Sequence, residues 1–405
     1  MTAATTSLPP ALWQPQRHIP QLDGVRGLAI LVVTLYRFSK EIPTDTQVGL
    51  MLHNLFALGD RGVDLFFVLS GFLISGILLD AKGNKHYFTS FLARRSLRIF
   101  PLYFAALFLF LIASQWIAPF RGMFALAESN QFYLWSYLTN VKMSLDGDWT
   151  FGHLDHFWSL AVEEHFYFVW PLLIFFCLRT TALKLACLLA GGSALSRIAF
   201  AIFSDNGVAP DVLTLFRCDA LLIGALLALQ IRTPAGLAPL RWWALALFPL
   251  CLSIGLWSSF TDKRLFTLPH TLWPLMWACV LIWLLRGSER RPWAKLFNLS
   301  PLRQLGKYSY AMYVFQSPLM PIVAGICSVP LLTSWLGDAL VANLVYMAVM
   351  FTLTYAAALL SWYLLEQHCM KLKRFFPTHI RPPAAPSHVP SPESAPGSCS
   401  LTPAL

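Results

Sequence analysis

Ten long apolar stretches constrain the fold of this chain more than any other feature. A helix rises 1.5 Å per residue, so about 20 apolar residues cross the ~30 Å hydrocarbon core of a bilayer. Composition agrees, because 57% of the 405 residues are hydrophobic and only 12% are charged. We therefore predict an all-α, polytopic membrane helix bundle of about ten transmembrane helices within residues 22–375. The stretches are 22–38, 63–79, 101–119, 156–178, 182–203, 212–231, 241–259, 267–285, 308–328 and 340–366.

The distribution of Lys and Arg predicts the orientation of the bundle. With the N-terminus inside, the inside segments contain 20 of the 30 Lys and Arg residues, the outside segments six and the spans four. Cytoplasmic loops are enriched in positive residues, so both termini are predicted to be cytoplasmic. Residues 1–21 are predicted to be a retained N-terminal segment and the Pro/Ser/Ala-rich residues 376–405 a disordered cytoplasmic tail. The net charge of +10 suits anionic lipid headgroups and requires no nucleic acid partner.

The first apolar stretch, LDGVRGLAILVVTLYRF, contains two arginines on one helix face. Arg26 and Arg37 are eleven positions apart, which places them about 20° apart around a helix and about 16 Å apart along it. An arginine at membrane depth costs roughly 3 kcal/mol or more. This face is therefore predicted to line a polar interior, where we expect the functional site.

Other ionisable residues fall at two depths of the predicted bundle. In the outer layer, side chains that can pair with one another are expected beside Arg37: Asp64, Glu163, Glu164, Arg217 and Asp219. The inner layer contains Arg26 together with Asp23, Lys307, Glu366 and the basic run Arg94, Arg95 and Arg98. The two layers are predicted to be opposite ends of one polar path. In the alternative interpretation, these charges only fix the packing of the helices.

Helical periodicity groups three polar residues of the fourth stretch. His156, Glu163 and Tyr167 fall within about 40° of each other, whereas His165 falls on the opposite face. An imidazole, a carboxylate and a phenol on one face are suited to proton transfer or to holding a sugar hydroxyl. His165 is interpreted as a packing residue.

Six sequence blocks, in order, resemble the acyltransferase-3 family of membrane proteins. The blocks are LDGVRGLAILVVTLYRF, GVDLFFVLSGFLISG, FLARRSLRIFPLYF, HFWSLAVEEHFYFVWPLL, RCDALLIGALLAL and LGKYSYAMYVFQSPL, and SWYLLEQ adds the late glutamate Glu366. The resemblance covers most of residues 20–375. It implies a multi-pass protein of the bacterial cytoplasmic (inner) membrane that transfers an acyl group from acyl-CoA to a hydroxyl of a glycan or lipid-linked acceptor.

Three positions depart from the pattern of this family. The family has a histidine eleven positions after the arginine that Arg26 matches, and this sequence has Arg37 there. Gln316 stands where a later block often ends in histidine, and His165 replaces a glutamine. Arginine has no lone pair with which to accept a proton. The base must therefore come from elsewhere, and we select Glu163 or His156.

The resemblance implies roles for the remaining polar residues. Arg37 is expected to keep Glu163 ionised or to stabilise the tetrahedral oxyanion. The CoA phosphates are expected to bind the basic run, with Arg26 at the entrance to the bundle. Acyl-CoA is the expected co-substrate, and no permanently bound cofactor or metal is predicted. The candidate catalytic residues are Glu163, His156, Arg37 and Arg26, and the candidate substrate-binding residues are Asp64, Glu164, Tyr167, Arg217, Asp219, Arg94, Arg95, Arg98 and Gln316.

Two other functions are compatible with the sequence. In the first, the protein is a catalytically degenerate relative that binds or moves a ligand within a glycan-assembly system, which the missing family histidines favour. In the second, it is a proton- or ion-coupled transporter unrelated to acylation. The sequence lacks the pair of Gly/Pro-interrupted helices that many such carriers have.

Overall fold

Every regular element that the structure describes is a helix. The structure is a computed structural model that describes residues 19–259, 267–286 and 292–377. The predicted N-terminal segment up to residue 18 and the predicted tail from residue 378 lie outside the described residues. The α-helices are α1 Pro20–Phe38, α2 Gln47–Ala57, α3 Gly62–Ala81, α4 Tyr87–Leu107, α5 Ala125–Ser129, α6 Gln131–Trp135, α7 Thr139–Asp146, α8 Trp158–Phe176, α9 Arg179–Phe203, α10 Ala209–Val212, α11 Thr214–Gln230, α12 Leu240–Ser259, α13 Pro269–Arg286, α14 Pro292–Phe297, α15 Ser300–Phe315, α16 Leu319–Ala324, α17 Val329–Leu336, α18 Ala339–Ser361 and α19 Gln367–Lys371.

Eight helical segments of the described chain are long and apolar enough to cross a membrane. Helix α1 is not among them, because its 19 residues contain Asp23, Arg26 and Arg37. The prediction of a polytopic membrane helix bundle is confirmed. The eight segments are Gln47–Ala81, Tyr87–Trp116, Gly152–Phe176, Arg179–Phe203, Ala209–Gln230, Leu240–Ser258, Leu319–Leu336 and Ala339–Phe375.

Large apolar side chains cover the outside of several of these helices. On α9, Leu188, Leu195 and Phe203 are exposed, and on α8 Phe168 and Phe176 are exposed. Exposed apolar surface on this scale is unfavourable in water but matches the acyl chains of a bilayer. The outer surface of the bundle is therefore built to contact lipid.

Two predicted segments differ from the structure. The basic run falls between the predicted spans 63–79 and 101–119, but α4 begins at Tyr87 and continues through Pro101. The single span predicted at 308–328 is wrong, since α15 ends at Phe315 and residues 316–318 separate it from α16. The basic residues therefore project from a helix that borders the core of the bundle.

Segments that are predicted to lie on the same side of the membrane meet at the same end of the bundle. Lys82 after α3 donates to the carbonyl of Ile174 near the end of α8, at 2.7 Å. Arg286 at the end of α13 donates to the carbonyl of Leu237, also at 2.7 Å. We call this end of the bundle, where the segments predicted to lie inside the cell meet, the basic end. The segments predicted to lie outside meet at the opposite end, which we call the far end. The side of the membrane that each end faces stays a prediction.

Glycines bring α1 and α15 into backbone contact. A Cβ atom on Gly306 would lie 1.9 Å from the carbonyl oxygen of Asp23, and one on Gly27 would lie 1.8 Å from that of Leu302. Small residues allow this close approach between membrane helices. The contact fixes the depth of Arg26, which lies between Asp23 and Gly27 on α1.

A second close contact joins α3 and α11. A Cβ atom on Gly224 would lie 1.9 Å from the carbonyl oxygen of Val68. The ends of the same two helices carry Asp64 and Arg217, which form a buried ion pair. The glycine contact therefore sets the distance across which this pair forms.

Replacing Gly306 with Leu is expected to lower the free energy of unfolding by about 1–3 kcal/mol, because the new side chain has to displace backbone. Thermal unfolding of the detergent-purified protein measures this. Gly191→Leu is the matched control, since a Cβ atom at Gly191 on α9 meets nothing within 4 Å. Equal unfolding temperatures for the two variants would contradict the proposed role of the glycine contact.

Candidate active site

Two cavities enter the bundle from opposite ends. The basic-end cavity has a volume of about 400 Å³, and Asp23, Arg26, Asp80, Arg95, Arg98, Glu163, Glu164 and Tyr167 are among its lining residues. The far-end cavity has a volume of about 270 Å³, and its lining includes Arg37, Lys40, Asp64, Trp149, Asp155, Arg217 and His270. Val63 and Tyr313 line both cavities. The polar path predicted from the two charge layers is therefore present as two chambers with a shared wall.

A chain of hydrogen bonds ends on Glu163 in the basic-end cavity. The Tyr167 hydroxyl donates to Glu163 Oε2 at 2.8 Å. Ser70 Oγ lies 2.6 Å from the same hydroxyl and completes the chain as its donor. Glu163 and Tyr167 share one face of α8, as their spacing predicts. The carboxylate is thus held in one orientation by two helices, α3 and α8.

Cationic side chains surround this carboxylate. Arg26 donates from Nη2 to Ser309 Oγ at 3.1 Å, which fixes its position in the cavity. The Arg95 guanidinium lies 5.6 Å from the centroid of the Tyr167 ring, a cation–π contact. Arg98 lines the same cavity. The chamber therefore combines one well-oriented carboxylate with guanidinium groups that can bind an anion.

The basic run that was predicted to act as a unit is divided. Arg94 points away from the cavity and donates from Nη1 to the carbonyls of Lys373 and Phe376, at 3.2 and 3.1 Å. Arg95 and Arg98 line the cavity. Successive residues of a helix point in different directions, so Arg94 anchors the C-terminal segment while its two neighbours face the chamber.

Polar residues of the far-end cavity form a connected network. Arg217 forms an ion pair with Asp64 and also donates to His270 Nδ1. His270 Nε2 lies 2.7 Å from Asp211 Oδ1. Because Nδ1 accepts, the imidazole proton is on Nε2, where it is donated to Asp211. The network ties α3, α11 and α13 together at the mouth of the cavity.

Sequence reasoning missed His270 and Asp211 in this network. The available signal was a histidine near the start of the apolar stretch 267–285, where an ionisable residue is unusual. It also missed Tyr313, which lies in the wall between the chambers. Tyr313 resembles a packing aromatic in the sequence, and only the fold shows that both cavities reach it.

Arg37 and Glu163 do not form the pair expected in one outer layer. Arg37 lines the far-end cavity and Glu163 the basic-end cavity. The carboxylate lies beyond Tyr313, with Arg26 and Arg95 as its cationic neighbours. A role for Arg37 in keeping Glu163 ionised is therefore not supported by their positions.

His156 is buried and lines neither of the two cavities. It belongs to a 3₁₀ turn, Gly152–Phe157, that precedes α8, so the helical phase used to group it with Glu163 does not apply. Neither ring nitrogen has a hydrogen-bond partner among the described residues. Its carbonyl accepts a hydrogen bond from the Tyr313 hydroxyl at 3.0 Å. His156 therefore positions Tyr313 through its backbone.

Asp219 lies in the packing between helices and outside both cavities. Its Oδ2 atom is 2.8 Å from Arg197 Nη2, and Thr271 Oγ1 donates to the same oxygen at 2.6 Å. Both charged side chains are almost completely buried. The prediction that Asp219 binds substrate is therefore not supported by its position, and the pair joins α9, α11 and α13.

The other candidate residues lie as follows. Glu164 lines the basic-end cavity and not the far-end cavity of Arg37, so its predicted place in the outer layer is wrong, and its role in substrate binding stays a prediction. Gln316 is buried at the end of α15, where its Oε1 accepts from Thr34 Oγ1 at 3.2 Å, and it lines neither cavity. His165 contacts Thr214 Oγ1 at 2.7 Å, which agrees with its interpretation as a packing residue. Within the described ranges, no group of three His, Cys, Asp or Glu side chains is arranged to hold a metal ion.

Comparison with known proteins identifies relatives over most of the chain. The chain is 29% identical over 340 residues to YrhL of Bacillus subtilis strain 168, provisionally named a peptidoglycan O-acetyltransferase, and the match covers 76% of this chain and 49% of YrhL. It is 26% identical over 337 residues to the peptidoglycan O-acetyltransferase OatA of Listeria monocytogenes, covering 79% of this chain and 52% of OatA. It is 25% identical over 335 residues to the O-acetyltransferase OatA of Staphylococcus aureus strain NCTC 8325, covering 76% and 51%.

The matches cover most of this chain but only part of each relative. The chain spans about half the length of the curated relatives that it matches. No solved structure matches it significantly. The family model described as an acyltransferase domain matches residues 19–363, which include both cavities and every helix that lines them. The chain therefore belongs to the acyltransferase-3 family of membrane proteins.

Proposed function

We propose that this protein is a membrane O-acyltransferase that transfers an acyl group to a hydroxyl of a glycan or lipid-linked acceptor. One observation carries the proposal: two chambers from opposite ends share a wall at Val63 and Tyr313, and one contains the oriented carboxylate of Glu163. Relatives named peptidoglycan O-acetyltransferases support a glycan acceptor.

The basic-end cavity suits an acyl donor with anionic groups, and we propose acyl-CoA. Guanidinium groups bind phosphates through paired hydrogen bonds, and Arg95 and Arg98 line this cavity. A donor that enters at the basic end carries its thioester toward Glu163. If the basic end is cytoplasmic, as the charge pattern predicts, the donor comes from the cytosol.

The far-end cavity suits the acceptor. Trp149, which is 42% exposed, offers aromatic surface on which a sugar ring can stack. The charged network of Asp64, Arg217 and His270 provides donors and acceptors for hydroxyl groups. To be acylated, an acceptor hydroxyl has to pass the shared wall at Tyr313 and reach Glu163 in the donor chamber.

We propose Glu163 as the general base. It removes the proton of the acceptor hydroxyl, whose oxygen attacks the thioester carbonyl carbon. The C–O bond forms, the carbonyl oxygen becomes an oxyanion, and the C–S bond then breaks. The leaving thiolate takes up a proton, and the products are an ester and free CoA. Arg26 faces the same chamber and is the cation that we assign to the oxyanion, in place of Arg37.

Replacing Arg95 or Arg98 with Gln is expected to raise the KM for acetyl-CoA about tenfold, since a hydrogen bond to a charged group contributes about 1.5–3 kcal/mol. The KM for the acceptor should change little. Steady-state kinetics of the purified protein in nanodiscs measure both constants. Arg94→Gln is the matched control, because Arg94 binds backbone carbonyls outside the cavity. An equal rise in all three variants would contradict donor binding at this cavity.

Two experiments test the proposed activity itself. The purified protein is supplied with labelled acetyl-CoA and cell-wall glycan fragments, and ester formation is followed by mass spectrometry. In a deletion strain, surface glycans and lipids are compared with the wild type for a lost acyl mass. An unchanged acyl pattern in the deletion strain, together with no transfer in vitro from acetyl-CoA or from another acetyl donor, would refute the proposal.

A second candidate function is ligand binding or transport without chemistry, in a glycan-assembly system. The observation that favours it is Arg37, which occupies the position of the family histidine and lines the far-end cavity. Under this function, the wild type is inactive and Arg37→His gains acyl transfer. Under the proposed enzyme, the wild type turns over.

A further inference from the structure

The far-end cavity contains two cations that form no ion pair with its carboxylates. Two of its guanidinium groups have acidic partners: Arg217 with Asp64, and Arg61 with Asp60. Arg37 and Lys40 also line it, and neither makes an ion pair with a carboxylate in the part of the chain that the structure describes. These two cations remain available for a ligand.

The two remaining carboxylates of the cavity, Asp155 and Asp211, do not pair with either cation. Asp211 accepts a hydrogen bond from His270 at 2.7 Å. Asp155 Oδ1 accepts the backbone N–H of Phe151 at 2.8 Å, which turns it toward its own loop. It forms no ion pair with Arg37 or Lys40 within 4.0 Å. The pair of cations is therefore matched by no acidic group at contact distance.

Arg37 and Lys40 both contact the ring of Tyr36. The Arg37 guanidinium lies 5.9 Å and the Lys40 ammonium 5.4 Å from the centroid of the Tyr36 ring. Partial burial and then the charge of Arg37 lower the pKa of Lys40. Arg37 Nε is buried without a hydrogen-bond partner. A buried donor without a partner is destabilising, and an anionic ligand would provide the missing acceptor.

We propose that Arg37 and Lys40 form a binding site for an anionic group, a carboxylate or a phosphate, carried by the acceptor. The acceptor is then an acidic glycan, whose sugar ring stacks on Trp149 while its anion binds the two cations. The identification of the ligand as a glycan rests on the proposed function. The departure from the family pattern at Arg37 thus becomes a determinant of acceptor specificity.

The test compares ligands that differ only in charge. A uronic-acid trisaccharide is paired with its carboxyl-reduced counterpart, and glucose 6-phosphate with glucose. Binding to the full-length protein in nanodiscs is measured by calorimetry and by tryptophan fluorescence. We expect the wild type to bind the acidic member of at least one pair about tenfold or more tightly. Arg37→Gln and Lys40→Gln should remove that preference. The ligand pair for which the wild type shows the preference identifies the anion as a carboxylate or a phosphate.

Lys142→Gln is the matched control, since Lys142 pairs with Asp146 outside the cavity. It should retain the preference of the wild type. Equal affinity of the wild type for both members of each pair would overturn the proposal, and so would a preference that survives in Arg37→Gln and Lys40→Gln. Acyl transfer is measured on the same preparations. A charge preference without transfer refutes the proposed enzyme and leaves this site in place. Transfer without a charge preference refutes this site and leaves the proposed enzyme in place.

Discussion

Replacing Glu163 with Gln is expected to lower the rate of acyl transfer at least about 100-fold, because the amide cannot accept the proton of the acceptor hydroxyl. Glutamine has nearly the same shape and can still accept the hydrogen bond from Tyr167, so the cavity should remain intact. The KM for acetyl-CoA should therefore stay close to that of the wild type. Single-turnover transfer of labelled acetyl groups measures the chemical step.

The control for this substitution is Glu128→Gln. Glu128 bonds to Gln115 and lines neither of the two cavities, so this variant should transfer at the wild-type rate. Tyr167→Phe removes only the orienting hydrogen bond and is expected to have a smaller effect than Glu163→Gln. Full activity of Glu163→Gln would remove the proposed role of the carboxylate.

Replacing Arg197 with Met is expected to lower the free energy of unfolding by about 3–5 kcal/mol, because Asp219 would keep a buried charge without its partner. Thr271 would remain its one side-chain hydrogen bond. The substitution lies outside both cavities, so the loss should appear in stability and not in the KM for either substrate. Thermal unfolding in detergent, followed by tryptophan fluorescence, measures it.

Two further variants test the cause of this expected loss of stability. Arg197→Met combined with Asp219→Asn removes both charges and should recover most of the lost stability. Arg241→Met replaces an exposed arginine that contacts the Trp242 ring on the outside of α12, and it should unfold close to the wild type. A double variant as unstable as Arg197→Met alone would contradict the account of an uncompensated charge.

The helices and the polar interior could be predicted from the sequence, because both follow from local composition. Apolar stretches locate the spans, and two arginines on one face of α1 cannot face lipid. Both Arg26 and Arg37 line cavities in the structure. The pairing of Tyr167 with Glu163 also follows from helical spacing alone, since the residues are four positions apart.

The division of the polar residues between two chambers could not be predicted. It depends on where a helix begins and on which side chain from another helix closes the path. His156 precedes α8 in a 3₁₀ turn, and Tyr313 comes from α15, far away in the sequence. Depth counted along one span placed Glu163 beside Arg37, but the wall at Tyr313 separates them. The partner of Asp219 was missed for the same reason, since Arg197 reaches it across helices.

Arg37 departs from the family pattern, and its place in the fold bears on acceptor recognition. The position that carries a histidine in the family lies here in the far-end cavity, on the side that we assign to the acceptor. A cation at this position can recognise a charged acceptor but cannot act as a base. The base that we propose, Glu163, lies in the other chamber, so recognition and proton removal are separated by the wall at Tyr313.

We propose that donor and acceptor enter the bundle from opposite ends and meet at this wall. The most direct test uses sealed proteoliposomes, with a glycan acceptor trapped in the lumen and labelled acetyl-CoA added only outside. We predict labelled ester on the trapped acceptor, made by molecules whose basic end faces outward, and none with Glu163→Gln. Label confined to acceptor added on the same side as the donor would contradict the account.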